Sequence, residues 1–199
     1  MQYYGGIESG GTKFVCIIAN EPNKVLSEVK FPTTTPKETL EKAVNFFASE
    51  IREKLIHLRG IGIGSFGPLD LNPNSPTYGF ITTTPKPDWA NIDIVGFLHK
   101  ALHVPISLDT DTNTAALGEK HWGAGQDVED ILYLTIGTGI GGGAVINGKP
   151  LHGLVHPEMG HMLIRHDTNK DPFKGCCPFH GDCLEGLASG PSILKRWGK

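Results

Sequence analysis

The stretch YYGGIESGGTKFVCIIA, residues 3–19, contains two apolar runs separated by a short glycine turn. The runs predict β-strands at 3–8 and 14–19, joined by a tight turn at 9–13. Glycines in such a turn let backbone N–H groups approach an anion, and the side chains of Thr12 and Lys13 add further donors. The turn is therefore either a plain β-hairpin connection or a phosphate-binding site.

Outward from this turn, the sequence predicts alternating strands and helices. A third strand is expected at 25–31. A helix follows it, because Thr35 is a typical N-cap, Pro36 suits the first helical position and Glu38 completes a capping box. The next apolar residues recur at helical spacing, which predicts one buried helix face. That face consists of Leu40, Val44, Phe47, Ile51 and Leu55.

The rest of the chain extends this pattern into an α/β fold. Further strands are predicted at 60–66, 104–108 and 130–136, and further helices at 92–102 and 110–122. Asp109 or Thr110 is expected to open the last of these helices. Helices packed on a sheet form a layered α/β architecture, and a second sheet begins near residue 130. We therefore expect two domains, residues 1–125 and 126–199, with the second sheet unfinished at residue 199.

Composition and charge exclude several classes of partner. The chain is 39% hydrophobic and 20% charged, as in ordinary soluble proteins, and its net charge of -3 creates no basic field for nucleic acid or an anionic membrane. The first twenty residues have no basic start followed by a long apolar run, which argues against a signal peptide. The longest apolar run, residues 14–19, is too short to span a bilayer. We expect a cytoplasmic protein.

A second glycine turn, TIGTGIGGG at residues 135–143, also follows an apolar strand. Neither turn has the Walker spacing or the dinucleotide GxGxxG pattern followed by a helix. A β-hairpin turn is the alternative interpretation of each one taken alone. Two such turns, each with glycine and threonine and each near the start of a domain, favour binding of nucleotide phosphates.

Two carboxylates lie at the predicted strand-to-helix junction in DTDTNTAALGE, residues 109–119. Aspartate at a helix start is usually a cap, which accounts for either Asp109 or Asp111. It does not account for both. A second aspartate that faces a cleft could accept a proton from a substrate hydroxyl group, which is the role of the base in a kinase.

Histidine and cysteine residues near the end of the chain have the spacing of a metal site. His161, Cys177, His180 and Cys183 form the pattern H-x15-C-x2-H-x2-C, which suits one tetrahedral zinc ion. Without a secretory signal, clustered cysteines favour metal over a disulfide. Four protein ligands leave no open position, so the site would be structural. The alternative is a loop with free thiols and surface histidines.

Taken together and in this order, several motifs resemble those of the ROK sugar kinases, and within them the fructokinase branch. They are GGIESGGTKF at 5–14, GIGSFGPLD at 62–70, TTTPKPDW at 82–89, DTDTNTAALGE at 109–119, TIGTGIGGG at 135–143, HPEMGH at 156–161 and CPFHGDCLEGLASGP at 177–191. The resemblance covers the whole chain. It implies the actin-like ATPase fold, which is ribonuclease-H-like with two lobes around a cleft, the second lobe being incomplete in this chain.

The resemblance also implies the roles of individual residues. ATP, bound with Mg²⁺, would have its phosphates held from opposite lobes by Gly10, Gly11, Thr12 and Lys13 and by Thr135, Gly137, Thr138, Gly139 and Pro191. Asp111 would be the catalytic base. The hexose would contact Asp111, Glu158, His161 and Glu185, with His161 also binding the structural Zn²⁺. Valine at Gly11 or Gly139 is therefore expected to weaken ATP binding with little effect on the sugar.

Some positions depart from the family pattern. Many members have aspartate in place of Glu8 and asparagine in place of Thr110. The usual C-x-C-x4-C zinc run is here C-x2-H-x2-C, with Pro178 at a usual cysteine position, and this variant indicates the fructokinase branch. The glycine motif that cradles adenosine is absent, so we expect a fragment or a truncated gene product.

Several functions remain open at this stage. The first is an ATP-dependent hexose kinase making fructose 6-phosphate, with a glucokinase or mannokinase using the same residues as a close alternative. A sugar-sensing transcription regulator is disfavoured, because Gly5 follows the start almost at once and the charge is acidic. A non-catalytic remnant that binds zinc and at most sugar is the third. A homodimer is compatible with each of them.

Overall fold

The computed structural model describes residues 2–153 and 156–198. The chain forms two compact units. The first comprises Met1–Thr114 and His152–His156, and the second comprises Ala115–Leu151 and Pro157–Lys199. Within the described residues, no helix is both long and apolar enough to cross a membrane.

The first unit is built on a five-stranded sheet with the order β3-β2-β1-β4-β7. Its strands are β1 (Tyr3–Ser9), β2 (Lys13–Glu21), β3 (Lys24–Pro32), β4 (Leu58–Ser65) and β7 (Ile106–Thr110). The first three are antiparallel neighbours, whereas β1, β4 and β7 run parallel. All five strands lie where the sequence predicts strands. The carboxyl ends of the three parallel strands therefore lie at one edge, where substrates bind in such sheets.

Two helices cover this sheet and close its core. They are α1 (Pro36–Lys54) and α2 (Ile94–Leu102), and two-residue strands β5 (Phe80–Ile81) and β6 (Ile92–Asp93) pair ahead of α2. Trp89 is fully buried, with its ring 5.7 Å from that of Phe14 and 5.5 Å from that of Phe66. Its indole N–H donates to the Thr34 carbonyl at 2.8 Å, so the loop before α2 is fixed to the start of α1.

The predicted start of α1 is confirmed, with one difference. The Thr35 hydroxyl oxygen accepts from the backbone N–H of Glu38, as an N-cap should. The Glu38 carboxylate, however, accepts from the Thr34 hydroxyl group at 2.8 Å and from Lys42 Nζ at 2.7 Å. In a capping box the Glu38 carboxylate would accept from the backbone N–H of Thr35. Here it accepts from the side chain of Thr34 instead.

The prediction that Leu55 belongs to the buried face of α1 is wrong. Leu55 is 91% exposed and is the C-cap, with a φ of 51° in the left-handed region. The helical period therefore ends before this residue, because a left-handed residue turns the chain away from the helix axis. Leu40 and Phe47 are buried as predicted, and Ala43 joins them.

The second unit contains a three-stranded antiparallel sheet with the order β10-β9-β8. Its strands are β8 (Ile131–Ile136), β9 (Ile140–Ile146) and β10 (Lys149–Pro150). The second sheet thus begins beside residue 130, as predicted. Asn147 and Gly148 form the turn between β9 and β10, and both have positive φ, as a type I′ turn requires.

Short helical elements complete this unit. Helix α3 (Asp111–Trp122) enters it from the first unit, and a 3₁₀ turn (Met159–His161) is followed by α4 (Leu184–Ala188) and α5 (Gly190–Trp197). A backbone hydrogen bond joins two of these elements, because the Leu184 N–H donates to the Met162 carbonyl at 3.0 Å. The 3₁₀ turn and α4, which are far apart in sequence, therefore lie side by side.

Candidate active site and metal centre

Asp111 is the first residue of α3 and follows directly after β7. Its side chain is exposed, and Oδ1 accepts from the Thr112 N–H at 2.8 Å. The amino-terminal end of a helix carries partial positive charge, which interacts favourably with a carboxylate. This arrangement suits a group that must be ionised to accept a proton.

The sequence predicts that Asp109 or Thr110 opens α3, and it allows one of the two aspartates to be the cap. Thr110 takes this role, because its hydroxyl oxygen accepts from the Asn113 N–H at 3.1 Å, three residues into the helix. Neither aspartate carboxylate is therefore needed to cap α3.

Asp109 is engaged on both of its oxygens. Oδ1 accepts from the Thr110 N–H at 2.7 Å and from the Asn113 side-chain amide at 2.9 Å. Oδ2 lies 2.8 Å from Nε2 of His152. The Asp109 side chain is 13% exposed and supports the junction between β7 and α3. Sequence reasoning missed His152, since no local spacing relates residues 43 positions apart.

In the first glycine turn, the two glycines serve different purposes. A Cβ on Gly10 would lie 2.7 Å from the Lys13 carbonyl oxygen, so the turn itself requires glycine there. A Cβ on Gly11 would meet no atom within 4 Å. Thr33, which the sequence analysis did not single out, donates its hydroxyl group to the Gly10 carbonyl at 2.6 Å. The Thr33 hydroxyl group thus supports the turn at Gly10, and the space beside Gly11 is open.

In the second glycine turn, too, one glycine has open space beside it and another has a close neighbour. A Cβ on Gly137 would meet nothing within 4 Å, whereas one on Gly139 would lie 2.5 Å from Oε2 of Glu185. The N–H of Gly190 donates to the Gly137 carbonyl at 2.8 Å, which places the start of α5, with Pro191, beside this turn. Thr135 and Thr138 are exposed on it. The turn is thus open at Gly137 and filled at Gly139.

Three of the residues expected to contact sugar lie in the second unit, and Asp111 lies in the first. Glu158 precedes the 3₁₀ turn and is exposed, and its carbonyl accepts from the His161 N–H at 2.9 Å. Oε2 of Glu185 accepts from the Ile140 N–H at 2.9 Å. Glu158 and His161 are therefore held on one short turn.

The four predicted metal ligands come together. Their donor atoms, from His161, Cys177, His180 and Cys183, all lie within 4.8 Å of one another. Sγ of Cys177 lies 3.6 Å from Nδ1 of His161, and Sγ of Cys183 lies 3.7 Å from the same nitrogen. Zinc bonds of about 2.0–2.3 Å place tetrahedral donors about 3.3–3.8 Å apart, so both distances from His161 match a zinc site, and the distance of 3.9 Å from Cys177 Sγ to His180 Nδ1 is slightly longer.

The other two cysteines have different surroundings. Sγ of Cys176 lies 2.8 Å from the Ser192 hydroxyl oxygen on α5, so it is directed to a separate contact. Cys16 is buried in the core of the first unit, and burial raises the pKa of its thiol to about 12. A thiol in that state is a packing residue. Burial likewise raises the pKa of the Cys183 thiol, so a bound cation is what would hold it as a thiolate.

A network of charged side chains contacts the loop that carries the predicted ligands His180 and Cys183. Nδ1 of His166 lies 3.0 Å from Oδ2 of Asp182, which sits between the ligands His180 and Cys183. The hydrogen bond to Asp182 raises the pKa of His166 and lowers that of the aspartate. Arg196 of α5 pairs with Asp171, whose carbonyl lies 3.0 Å from Nε2 of His166. Sequence analysis did not identify this network.

Comparison with known proteins places these features in a family context. Residues 4–199 match the ROK family. A fructokinase of Zymomonas mobilis subsp. mobilis is 52% identical over 197 residues, covering 98% of this chain and 65% of that protein. A fructokinase of Lactococcus lactis subsp. cremoris is 51% identical, with 98% and 64% covered. A glucokinase of Thermotoga maritima is 32% identical. This chain thus spans about two thirds of the length of these fructokinases.

A solved structure supports the same fold. A ROK hexokinase from Thermus thermophilus superposes with a TM-score of 0.79 at 32% identity, covering 98% of this chain and 62% of that one. The predicted α/β fold class is confirmed by this likeness.

Proposed function

The chain belongs to the ROK family, and from this premise we propose that it phosphorylates a hexose with ATP, converting D-fructose to fructose 6-phosphate. The identity of 52% to a fructokinase, against 32% to a glucokinase, carries the choice of fructose. The exposed carboxylate of Asp111 and the two open glycine turns are what such a reaction needs.

In the proposed reaction, Asp111 accepts the proton of the attacking sugar hydroxyl group. The hydroxyl oxygen forms a bond to the γ-phosphorus of ATP, and the bond from that phosphorus to the ADP oxygen breaks. The backbone N–H groups at Gly11 and Gly137 approach the phosphates, because neither glycine has a neighbour where a side chain would stand. Mg²⁺ bound with ATP supplies neutralisation of the phosphate charge.

We further propose that Glu158, His161 and Glu185 bind sugar hydroxyl groups. His161, Cys177, His180 and Cys183 would hold a structural zinc ion, whose chemistry there is to fix its four ligands in place. The imidazole of His161 is then oriented by the metal on one nitrogen, and the 3₁₀ turn that carries it also fixes Glu158. We place the reaction in the cytoplasm, where thiolate ligands stay reduced.

A sugar panel tests the proposed activity. The purified protein is incubated with ATP, magnesium and fructose, glucose or mannose, and ADP release is measured beside an Asp111→Asn variant. We expect release with fructose that depends on Asp111. Release with glucose or mannose alone would change the substrate. No release with any sugar, from folded zinc-bound protein, would leave the non-catalytic alternative as the function of this chain.

A further inference from the structure

The Glu185 carboxylate supports the second glycine turn from the side of α4. Its Oε2 accepts from the N–H of Ile140, the residue that follows Gly139 and begins β9, at 2.9 Å. Ile140 is 6% exposed, so this N–H lies in a place that water hardly reaches. The absence of a side chain on Gly139 lets the carboxylate approach this closely. A hydrogen bond to an ionised group at a buried site is a strong one.

The carbonyl group of the same Ile140 is covered from a second element. A Cβ on Gly160 would lie 1.8 Å from the Ile140 carbonyl oxygen, so the 3₁₀ turn Met159–His161 packs directly on the backbone of Ile140. Met159 extends this contact, because its side chain lies against Gly142 of β9. Ile140 is therefore held by α4 through its N–H and by the 3₁₀ turn around its carbonyl group.

Both of these elements carry a metal ligand. His161 ends the 3₁₀ turn, and Cys183 is the N-cap of α4, two residues before Glu185. Nδ1 of His161 and Sγ of Cys183 lie 3.7 Å apart. An ion bound to both residues would join the two elements that hold Ile140. The ion and the second glycine turn would then both depend on α4 and the 3₁₀ turn.

We propose that Glu185 is a positioning residue that links occupancy of the metal site to the conformation of the second glycine turn. With the ion bound, α4 and the 3₁₀ turn are fixed to each other, and Glu185 keeps Ile140 and the turn before it in place. Without the ion, the two elements keep the bond between the Leu184 N–H and the Met162 carbonyl but lose the link from His161 to Cys183, and the Ile140 N–H opens more often. This inference rests on the proposed zinc site and requires no sugar turnover.

Amide hydrogen exchange of ¹⁵N-labelled protein measures this contact directly. In the zinc-loaded protein, Glu185→Ala should speed exchange of the Ile140 N–H about tenfold or more, and Glu185→Gln should do so less, because its amide oxygen still accepts. Glu119→Gln is the matched control: its carboxylate accepts from the Ala124 N–H at 2.9 Å in the same unit. It should alter Ala124 and leave Ile140 unchanged.

Zinc removal supplies the second arm. Chelation should speed Ile140 exchange about tenfold in the parent and add little in Glu185→Ala, with the amides of β1 in the first unit as the reference. Because coupling is reciprocal, Glu185→Ala should also weaken zinc several-fold in competition with a chelator, and Glu119→Gln should not. The comparison of zinc affinities remains decisive even if the second unit unfolds as a whole when zinc is removed.

Three results would overturn the proposal. The first is unchanged Ile140 exchange in zinc-loaded Glu185→Ala, and the second is parental zinc affinity in that variant. The third is a purified protein that contains no zinc and takes none up on titration. A protein that passes all three measurements but phosphorylates no sugar would refute the proposed kinase activity and leave this link intact.

Discussion

At the scale of single residues, Asp111 and Asp109 differ in what surrounds their carboxylates. Asp111 is exposed at the head of α3, where its carboxylate accepts from the Thr112 N–H, whereas Asp109 is mostly buried and is bonded to Thr110, Asn113 and His152. Asp111→Asn keeps the shape of the side chain and removes its ability to accept a proton. We expect its kcat to fall by about a hundredfold or more, with sugar affinity retained within several-fold. Steady-state kinetics and sugar titration measure both.

Asp109→Asn is the matched control. It should lower the unfolding temperature by weakening the bond to His152 and leave most of the turnover. Near-parental turnover in Asp111→Asn would remove this residue from the mechanism.

The two open glycine turns now predict different effects of the same substitution. A valine at Gly11 would meet no protein atom but would occupy the space proposed for the ATP phosphates. We therefore expect a higher KM for ATP and little change in the KM for the sugar. A valine at Gly139 would displace Glu185, so it should raise the KM for both substrates. The sequence alone predicted one outcome for both. Equal sugar KM values in the two variants would contradict this distinction.

Several contacts near these residues could not be predicted from the sequence for a common physical reason. Thr33, His152 and His166 each meet partners through the folded chain, and a single histidine or threonine carries no periodic signal. The grouping of the four predicted metal ligands could be expected because three of them lie within seven residues, where the loop itself sets the spacing. The place of Asp111 at the start of α3 was predictable from its motif, but the motif could not decide between Asp109 and Thr110 as the residue that caps this helix.

At the scale of elements, the proposed zinc site would stabilise the segment between the 3₁₀ turn and α4. Elemental analysis of the purified protein should find about one zinc per chain. Cys177→Ser should lose zinc and loosen residues 151–190, because a buried ligand is removed. Cys176→Ser should keep zinc, since its sulfur contacts Ser192. Full zinc content in a Cys177→Ser, Cys183→Ser double variant would exclude this ligand set.

The His166–Asp182 pair predicts a pH-dependent contribution to the stability of the same segment. The pKa of His166 is raised above its usual 6.5, so its protonated form is favoured by folding. This contribution is fully present below pH 6.5 and is lost as the pH rises through the folded-state pKa. The unfolding temperature of the parent should therefore exceed that of His166→Gln most near pH 6 and less near pH 9. A difference that grows with pH would contradict the assignment.

Regular elements were predicted well where one signal acted alone. The five strands of the first sheet, β8 of the second sheet and the start of α1 follow from apolar runs, turn glycines and a threonine cap. Leu55 was misplaced because its apolar side chain continues the helical period while its backbone has already left the helix. Backbone geometry at a C-cap is decided by the closing hydrogen bonds, which composition does not report.

At the scale of the whole molecule, the two units differ in the size of their buried apolar side chains. The hydrophobic core cluster consists of residues of the first unit, with Phe14, Phe47 and Trp89 among its largest members. The buried apolar side chains described in the second unit are smaller: Ala116, Ile140, Ala144, Val145, Cys177, Cys183 and Leu187. A unit with a small core needs another source of stability, and bound metal supplies it in many small domains.

This difference predicts that the two units lose stability independently. Phe47→Ala should lower the free energy of unfolding of the first unit by about 3–5 kcal/mol, because it leaves a cavity beneath α1. It should leave zinc content at about one per chain, since the four ligands lie in the second unit. Chelation should have the opposite pattern: exchange of amides in the second unit accelerates, while amides of β1 and β4 keep their protection. Hydrogen exchange resolved by residue, combined with elemental analysis of the folded fraction, measures both effects in one protein. Zinc loss from folded Phe47→Ala, or loss of protection in β1 on chelation, would show that the stabilities of the two units are coupled.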